Sequence, residues 1–160
     1  MCSINIRSKH QAGFAYLAIL FTVAIMGAGL ALAGTVWHTV QQREKEADLL
    51  FIGDALRRAI ASYYNQSPGN KRFPVQLADL VKDPRFPGIK RHLRRLYADP
   101  ITGKPEWAVL RGVDGGIIGV RSLSEEAPLR RYFPSGPNKN FSGKARYADW
   151  TFVYLPGTPL

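Results

Sequence analysis

Charged and apolar positions divide this chain into two unequal parts. No charged side chain occurs between Lys9 and Arg43, and from Phe14 to Trp37 the residues FAYLAILFTVAIMGAGLALAGTVW are almost wholly apolar. At ~1.5 Å per residue such a run matches the ~30 Å hydrocarbon core of a bilayer, and it predicts one membrane helix. After Arg43 the pattern changes without a break. Leu49, Ile52, Leu56, Ala59, Ile60 and Tyr63 recur at spacings of three and four, which makes one apolar stripe. Arg43, Glu44, Lys45, Glu46, Asp48, Asp54, Arg57 and Arg58 fill the other faces, and no proline appears before Pro68. The pattern therefore predicts a single helix from about Phe14 to about Tyr64. Its first half is apolar all round and its second half is amphipathic.

Gly27, Gly29 and Gly34 lie within the first half. They admit two readings: close approach of a neighbouring helix, or local softening, since an interior glycine costs a helix ~1 kcal/mol relative to alanine. Beyond Pro68 the composition shifts. Residues 67–70, SPGN, read as a turn, and PVQLADLV from Pro74 reads as a short helical segment with Leu77, Leu80 and Val81 on one face. Asp83-Pro84, Pro87-Gly88 and Asp99-Pro100 break the chain repeatedly, with two basic helical turns expected between them over Ile89 to Tyr97. Residues 106–110 and 117–121 are strand-like runs joined by a turn at Asp114-Gly115, and residues 150–154 supply a third strand. A small antiparallel sheet laid on the amphipathic half of the helix would bury both apolar faces. The fold class expected is α+β. The stretch from Ser122 to Ala148, rich in Pro, Gly, Ser and Lys, is expected to be a long partner-facing or partly mobile loop.

The length, 160 residues, suits one compact domain with an extension. Lys and Arg number 22 against 12 Asp and Glu, a formal charge of +10 that favours anionic partners without choosing among nucleic acid, lipid headgroups and acidic protein. The one cysteine, Cys2, excludes an intramolecular disulfide and a cysteine-based metal cluster. A secretory signal peptide is the competing reading of the N-terminus, with a small-residue site at Ala31 to Ala33, but its apolar region would run only ~7 to 15 residues. Arg7 and Lys9 flank one end of the apolar run and Arg43, Lys45, Arg57 and Arg58 follow the other, so the Lys/Arg balance leaves orientation open.

Three features coincide: a short basic leader ending in Gly13, Phe14 opening an apolar helix, and that helix continuing into a small sheet domain. Together they resemble the type IV pilin-like family, and within it the pseudopilins of type II secretion. Phe73-Pro74 followed by Leu77 and Leu80, then Leu96, Asp99, Pro100 and Gly103, are similar to stretches that follow the long helix in major pseudopilins. The resemblance implies a leader over residues 1–13, a membrane half over 14–42, an amphipathic half over 43–66 and a periplasmic sheet domain over 67–160. It implies cleavage between Gly13 and Phe14 by a prepilin peptidase, N-methylation of Phe14, and loss of Cys2 with the leader. It also implies a single pass through the bacterial inner membrane, with the N-terminus cytoplasmic. The chain departs from the pattern at Ala18, the fifth mature position, where the family carries a Glu that pairs with the N-terminal amine of a neighbouring subunit. A carboxylate isolated in lipid is costly and needs such a partner, which Ala18 cannot provide. The resemblance thus implies an atypical, minor or initiating subunit.

Candidate chemistry is sparse. His92 is the one histidine of the soluble region, and with no Cys beside it neither a zinc site nor a Cys-His nucleophile is expected. Asp114, Glu125 and Glu126 are the nearby acids for a calcium site, and they lack EF-hand spacing. No catalytic residues, metal or cofactor are expected. The densest cationic cluster is Lys90, Arg91, Arg94 and Arg95, with Arg130 and Arg131 as a second patch. Either it binds phosphates with Tyr97 as a stacking platform, or it is a solvated face that meets neighbouring subunits. The function expected is a structural subunit of a type II secretion or related pilus filament, with other pseudopilins and the assembly platform as partners. A minor pilin binding DNA for uptake and a simple signal-anchored envelope protein are the alternatives.

Overall fold

The computed structural model describes residues 12–158, with the side chains of residues 12, 13 and 30–36 outside the description. The protein is α+β. One long helix, α1 (Ala12–Asn65), is followed by an antiparallel sheet of three strands, β1 (Ala108–Arg111), β2 (Ile117–Arg121) and β3 (Thr151–Val153), in the order β1-β2-β3. The chain divides into two compact units, the first ending at Gln41 and the second beginning at Gln42. The distal part of α1 and the sheet thus belong to one body.

In the first unit every described side chain from Phe14 to Gly29 is exposed. Among the described residues no helix is long and apolar enough to cross a membrane. The expected span, Phe14 to Trp37, includes residues 30–36, whose side chains lie outside the description, as does the expected leader as far as residue 11.

The second unit is built on the expected stripe. Leu49, Leu56, Ala59, Ile60 and Tyr63 are buried and Ile52 packs against them. β2 and β3 turn Ile117, Val120 and Phe152 toward this stripe, and Trp150, at the entrance to β3, joins them. β1 and β3 alternate in burial, whereas in β2 Ile117, Gly119 and Val120 are all buried, the register shift opposite Ile118 bringing Ile117 and Val120 to the same side. Gly115, with φ +76°, makes the β1–β2 hairpin turn, and a bulge falls between Leu110 and Arg111.

Three local expectations are corrected. Residues 89–97 form no helix; they run as an irregular segment pinned to residues 80–83. Leu80 carbonyl accepts from the His92 and Leu93 amides, both at 2.8 Å, and Lys90 carbonyl accepts from the Asp83 amide at 3.0 Å. Pro87-Gly88 precedes and Pro100 follows, leaving too little chain for a helix to out-compete these bonds. The segment from Pro74 contains one 3₁₀ turn, Leu77–Leu80, with Leu80 buried. Finally, the stretch 122–148 is a packed flap. It contributes Phe133, Phe141 and Tyr147 to the core, where Phe141 stacks on Trp150 at 5.4 Å and Phe133 meets the same indole edge-on at 5.3 Å. Counting its prolines and glycines hid the three aromatic anchors between them.

Candidate functional site

The candidate processing junction lies within α1. Gly13 is within the helix and Phe14 is 79 % exposed. One turn on, Ala18 is exposed and its carbonyl accepts from Thr22 Oγ1 at 2.8 Å. An exposed row of Phe14, Leu17, Phe21, Ile25 and Met26 is apolar surface that water disfavours, so this helix calls for a lipid or protein cover.

The four cations of the expected anion-binding patch are brought into one segment, but unequally. Arg91, Arg94 and Arg95 are exposed and Lys90 is half-buried. Lys90 Nζ lies 4.4 Å from the centre of the Phe86 ring, and the Arg95 guanidinium lies 5.1 Å from that of Tyr97. None of the four makes an ion pair among the described residues. The acids singled out for calcium are dispersed: Glu125 pairs with Arg146 at 2.5 Å, Asp114 sits in the hairpin loop, and no group of metal-ligating side chains is found among the described residues.

What the sequence did not disclose is how the buried charges are used. Asp83 is fully buried and its carboxylate accepts from Arg85 Nη2 at 2.6 Å, Arg85 Nε at 2.8 Å, the Arg85 amide at 3.0 Å and His92 Nε2 at 3.1 Å. Because a carboxylate can only accept, His92 Nε2 carries a proton; in the neutral ring Nδ1 then accepts from Ser62 Oγ at 2.8 Å. Arg85 also donates to Tyr63 carbonyl at 2.9 Å and to Ser67 Oγ, and its guanidinium lies 3.5 Å from the centre of the Tyr63 ring. Burial by itself would raise the Asp83 carboxyl, but the hydrogen bonds from Arg85 and His92 outweigh it and hold it well below the usual carboxylate range.

Ser62, His92 and Asp83 are therefore linked as serine, histidine and carboxylate. The arrangement is nevertheless a clasp. The His92 side chain is 1 % exposed, Ser62 Oγ is engaged inside α1 by Gln66 Nε2 at 3.1 Å, and none of the three lines either of the two cavities described below. The sequence signal was Asp83-Pro84-Arg85, a turn-forming aspartate beside a cation.

A second clasp joins α1 to the flap. Glu46 is 5 % exposed with no cationic partner among the described residues; its Oε1 accepts from the Leu129 amide at 2.6 Å, the Arg130 amide at 3.2 Å and Tyr147 Oη at 2.9 Å. Gln42 Nε2, one turn earlier, donates to Ala127 carbonyl and to Tyr147 Oη, each at 3.2 Å. Burial, together with the Glu46 carboxylate, pushes the Tyr147 phenol up to about 12, against the Gln42 hydrogen bond, which lowers it. A third joint pairs Arg57 with Asp54 at 2.6 Å and with Asn138 and the Pro137 carbonyl of the flap. The turn containing Asp99, Pro100 and Gly103 is closed by Asp99, buried, accepting from the Ile101 amide at 2.9 Å and Ser122 Oγ at 2.6 Å.

Cavities open on this unit among the described residues. One of about 700 Å³ lies among Arg57, residues 134–141 and the end of β3; another, about 350 Å³, lies between α1 and the flap, lined by Arg43, Glu46, Ala47, Leu50, Leu129 and Arg130. Comparison of the chain with protein families, with curated proteins and with solved structures finds no match.

Proposed function

We propose that the chain is a pseudopilin-like structural subunit, processed between Gly13 and Phe14, held in the bacterial inner membrane, and taken into a short periplasmic filament that serves protein secretion. The observation that carries the reading is the continuity of α1. One helix runs through the Gly13-Phe14 junction, presents an exposed apolar surface, and ends at Asn65 as the buried spine of a sheet domain. A helix of this kind would join subunits through its apolar half while its amphipathic half carries the domain. Every clasp described above fixes that domain to the spine, which suits a part that bears load rather than one that turns over substrate. Mass spectrometry of the native N-terminus tests the reading. A mature chain starting at methylated Phe14 is expected; an intact Met1, or cleavage after Ala33, overturns it.

The exposed, ion-pair-free guanidiniums of Arg91, Arg94 and Arg95 favour one second reading, a minor pilin that holds DNA. Phosphate contacts make binding fall steeply with salt. Duplex binding that is lost on changing these three residues to Ala supports it. Binding absent at low salt removes it.

A further inference from the structure

The groove between α1 and the flap has a composition that neither filament assembly nor DNA capture uses. Arg43, Glu46, Ala47 and Leu50 share one face of α1, at spacings of three, four and seven, and Leu129 and Arg130 form the opposite wall. Glu46 is the single acid in that lining, and its Oε1 is already engaged by two amides and the Tyr147 hydroxyl. Arg43 and Arg130 are exposed at the rim and make no ion pair among the described residues, while the Arg130 guanidinium lies 4.6 Å from the centre of the Phe133 ring, which helps to hold it in place. Arg131 is exposed beside it, and the flanking Leu129 and Tyr132 are 42 % and 71 % exposed. Two unpaired guanidiniums on either side of a groove suit a phosphate, and an exposed Leu and Tyr beside them suit the boundary between headgroups and acyl chains.

We propose that this groove seats the phosphate of an anionic phospholipid headgroup, and so rests the membrane-proximal end of the domain on the bilayer. The inference rests on the reading of Phe14 to Trp37 as the membrane span. Chain connectivity then selects lipid over free phosphate: Arg43 is the first charged residue after the apolar run and follows Trp37 by only six residues, and basic residues immediately beyond a span are attracted by an anionic headgroup layer. Glu46 and Gln42 hold residues 127–130 at the same level of the helix, which brings Arg130 to the same surface.

The test uses the full chain in nanodiscs of phosphatidylcholine, alone or with one third phosphatidylglycerol. A bimane is attached at Ala127→Cys, with Cys2→Ser in the background, and its quenching by a headgroup spin label is compared with that of a bimane at Val113→Cys on the hairpin. Position 127 is expected to be quenched strongly and position 113 weakly, with phosphatidylglycerol deepening the difference. Arg43→Gln with Arg130→Gln is expected to cut the phosphatidylglycerol-dependent part by about tenfold, since each basic residue near an anionic surface contributes a several-fold preference. Equal quenching at the two positions, or no response to phosphatidylglycerol, overturns the proposal. So does its abolition by inorganic phosphate at low concentration, which would assign the groove to a free anion. A protein that elutes without lipid removes the membrane reading and this inference together, whereas an embedded protein with an unquenched flap removes this inference alone.

Discussion

The ring of Phe152 rests directly on the backbone of α1 at Gly53, so closely that a Cβ at residue 53 would lie 2.4 Å from Cζ of that ring. Glycine in a helix interior sacrifices ~1 kcal/mol of helix propensity. Here that loss gives the sheet its closest approach to the spine and lets Phe152 become fully buried. Gly53→Ala is therefore expected to destabilise the domain by about 1–3 kcal/mol, as overpacking does, although alanine is the better helix former. Phe152→Leu in the same chain should recover part of the loss. Melting of the full chain in detergent, followed by near-UV circular dichroism, checks both; a Gly53→Ala variant as stable as the parent would show that the ring gives way freely.

Asp83 sets the acid limit of the clasp under residues 83–92. Its folded carboxyl lies below its ordinary value, so its contribution to stability is fully present above about pH 4 and is lost as pH falls from there toward the folded value. Asp83→Asn keeps the shape but removes the negative charge and replaces one of the two acceptor oxygens with a donor NH₂ facing Arg85 or His92, and it should cost about 3 kcal/mol at neutral pH. Acid titration of the melting temperature should then be flatter below pH 4 in the variant than in the parent. Parallel curves would mean that other carboxylates control the acid transition.

Tyr147 provides the corresponding limit at high pH. Its folded phenol ionises at about 12 instead of 10, so the stability it contributes is present below pH 10 and is lost as pH rises through the folded value. Phenolate absorbance of the native protein should show Tyr147 among the last tyrosines to titrate, with Tyr63 also raised by burial. Tyr147→Phe should remove that late step and cost about 1–3 kcal/mol, since the buried Glu46 carboxylate loses its hydroxyl donor and keeps only the two flap amides.

Much of this architecture was legible because periodicity reports burial. The stripe from Leu49 to Tyr63 lies on the core, and the three strands fall within one or two residues of the alternating runs that announced them. The clasps were not legible, because they join residues far apart in the chain whose types are ordinary on a surface. Glu46 read as one solvated charge among eight, yet it is buried against Tyr147, and its partners at Leu129 and Arg130 are backbone amides that no side-chain pattern announces. His92 read as solitary because its companions, Ser62 and Asp83, lie on other segments. The basic turns expected over residues 89–97 failed for a related reason: local propensity was outweighed by hydrogen bonds to Leu80, a long-range partner in no helical register.

Ala18 is the position at which resemblance and residue part, and it can be made to decide the role. Its side chain is a single exposed methyl group on a helix that continues without interruption, so a longer residue meets no steric barrier there. On the reading proposed above, a carboxylate at that place would pair with the amine of a neighbouring subunit. Buried in lipid without a partner, the same carboxylate would cost ~3 kcal/mol. On that reading Ala18→Glu adds a penalty to an isolated membrane form and removes it on assembly, a difference that would favour a filament. Expressed with its pilin-like partners, the variant should appear in the sedimentable filament fraction at about tenfold or more above the parent, if even half of that penalty is recovered. The amounts in the membrane and filament fractions, read by immunoblot after shearing, measure the shift. Should the two proteins distribute alike, the absent carboxylate is not what restrains polymerisation, and the restraint must be sought in the domain that α1 carries.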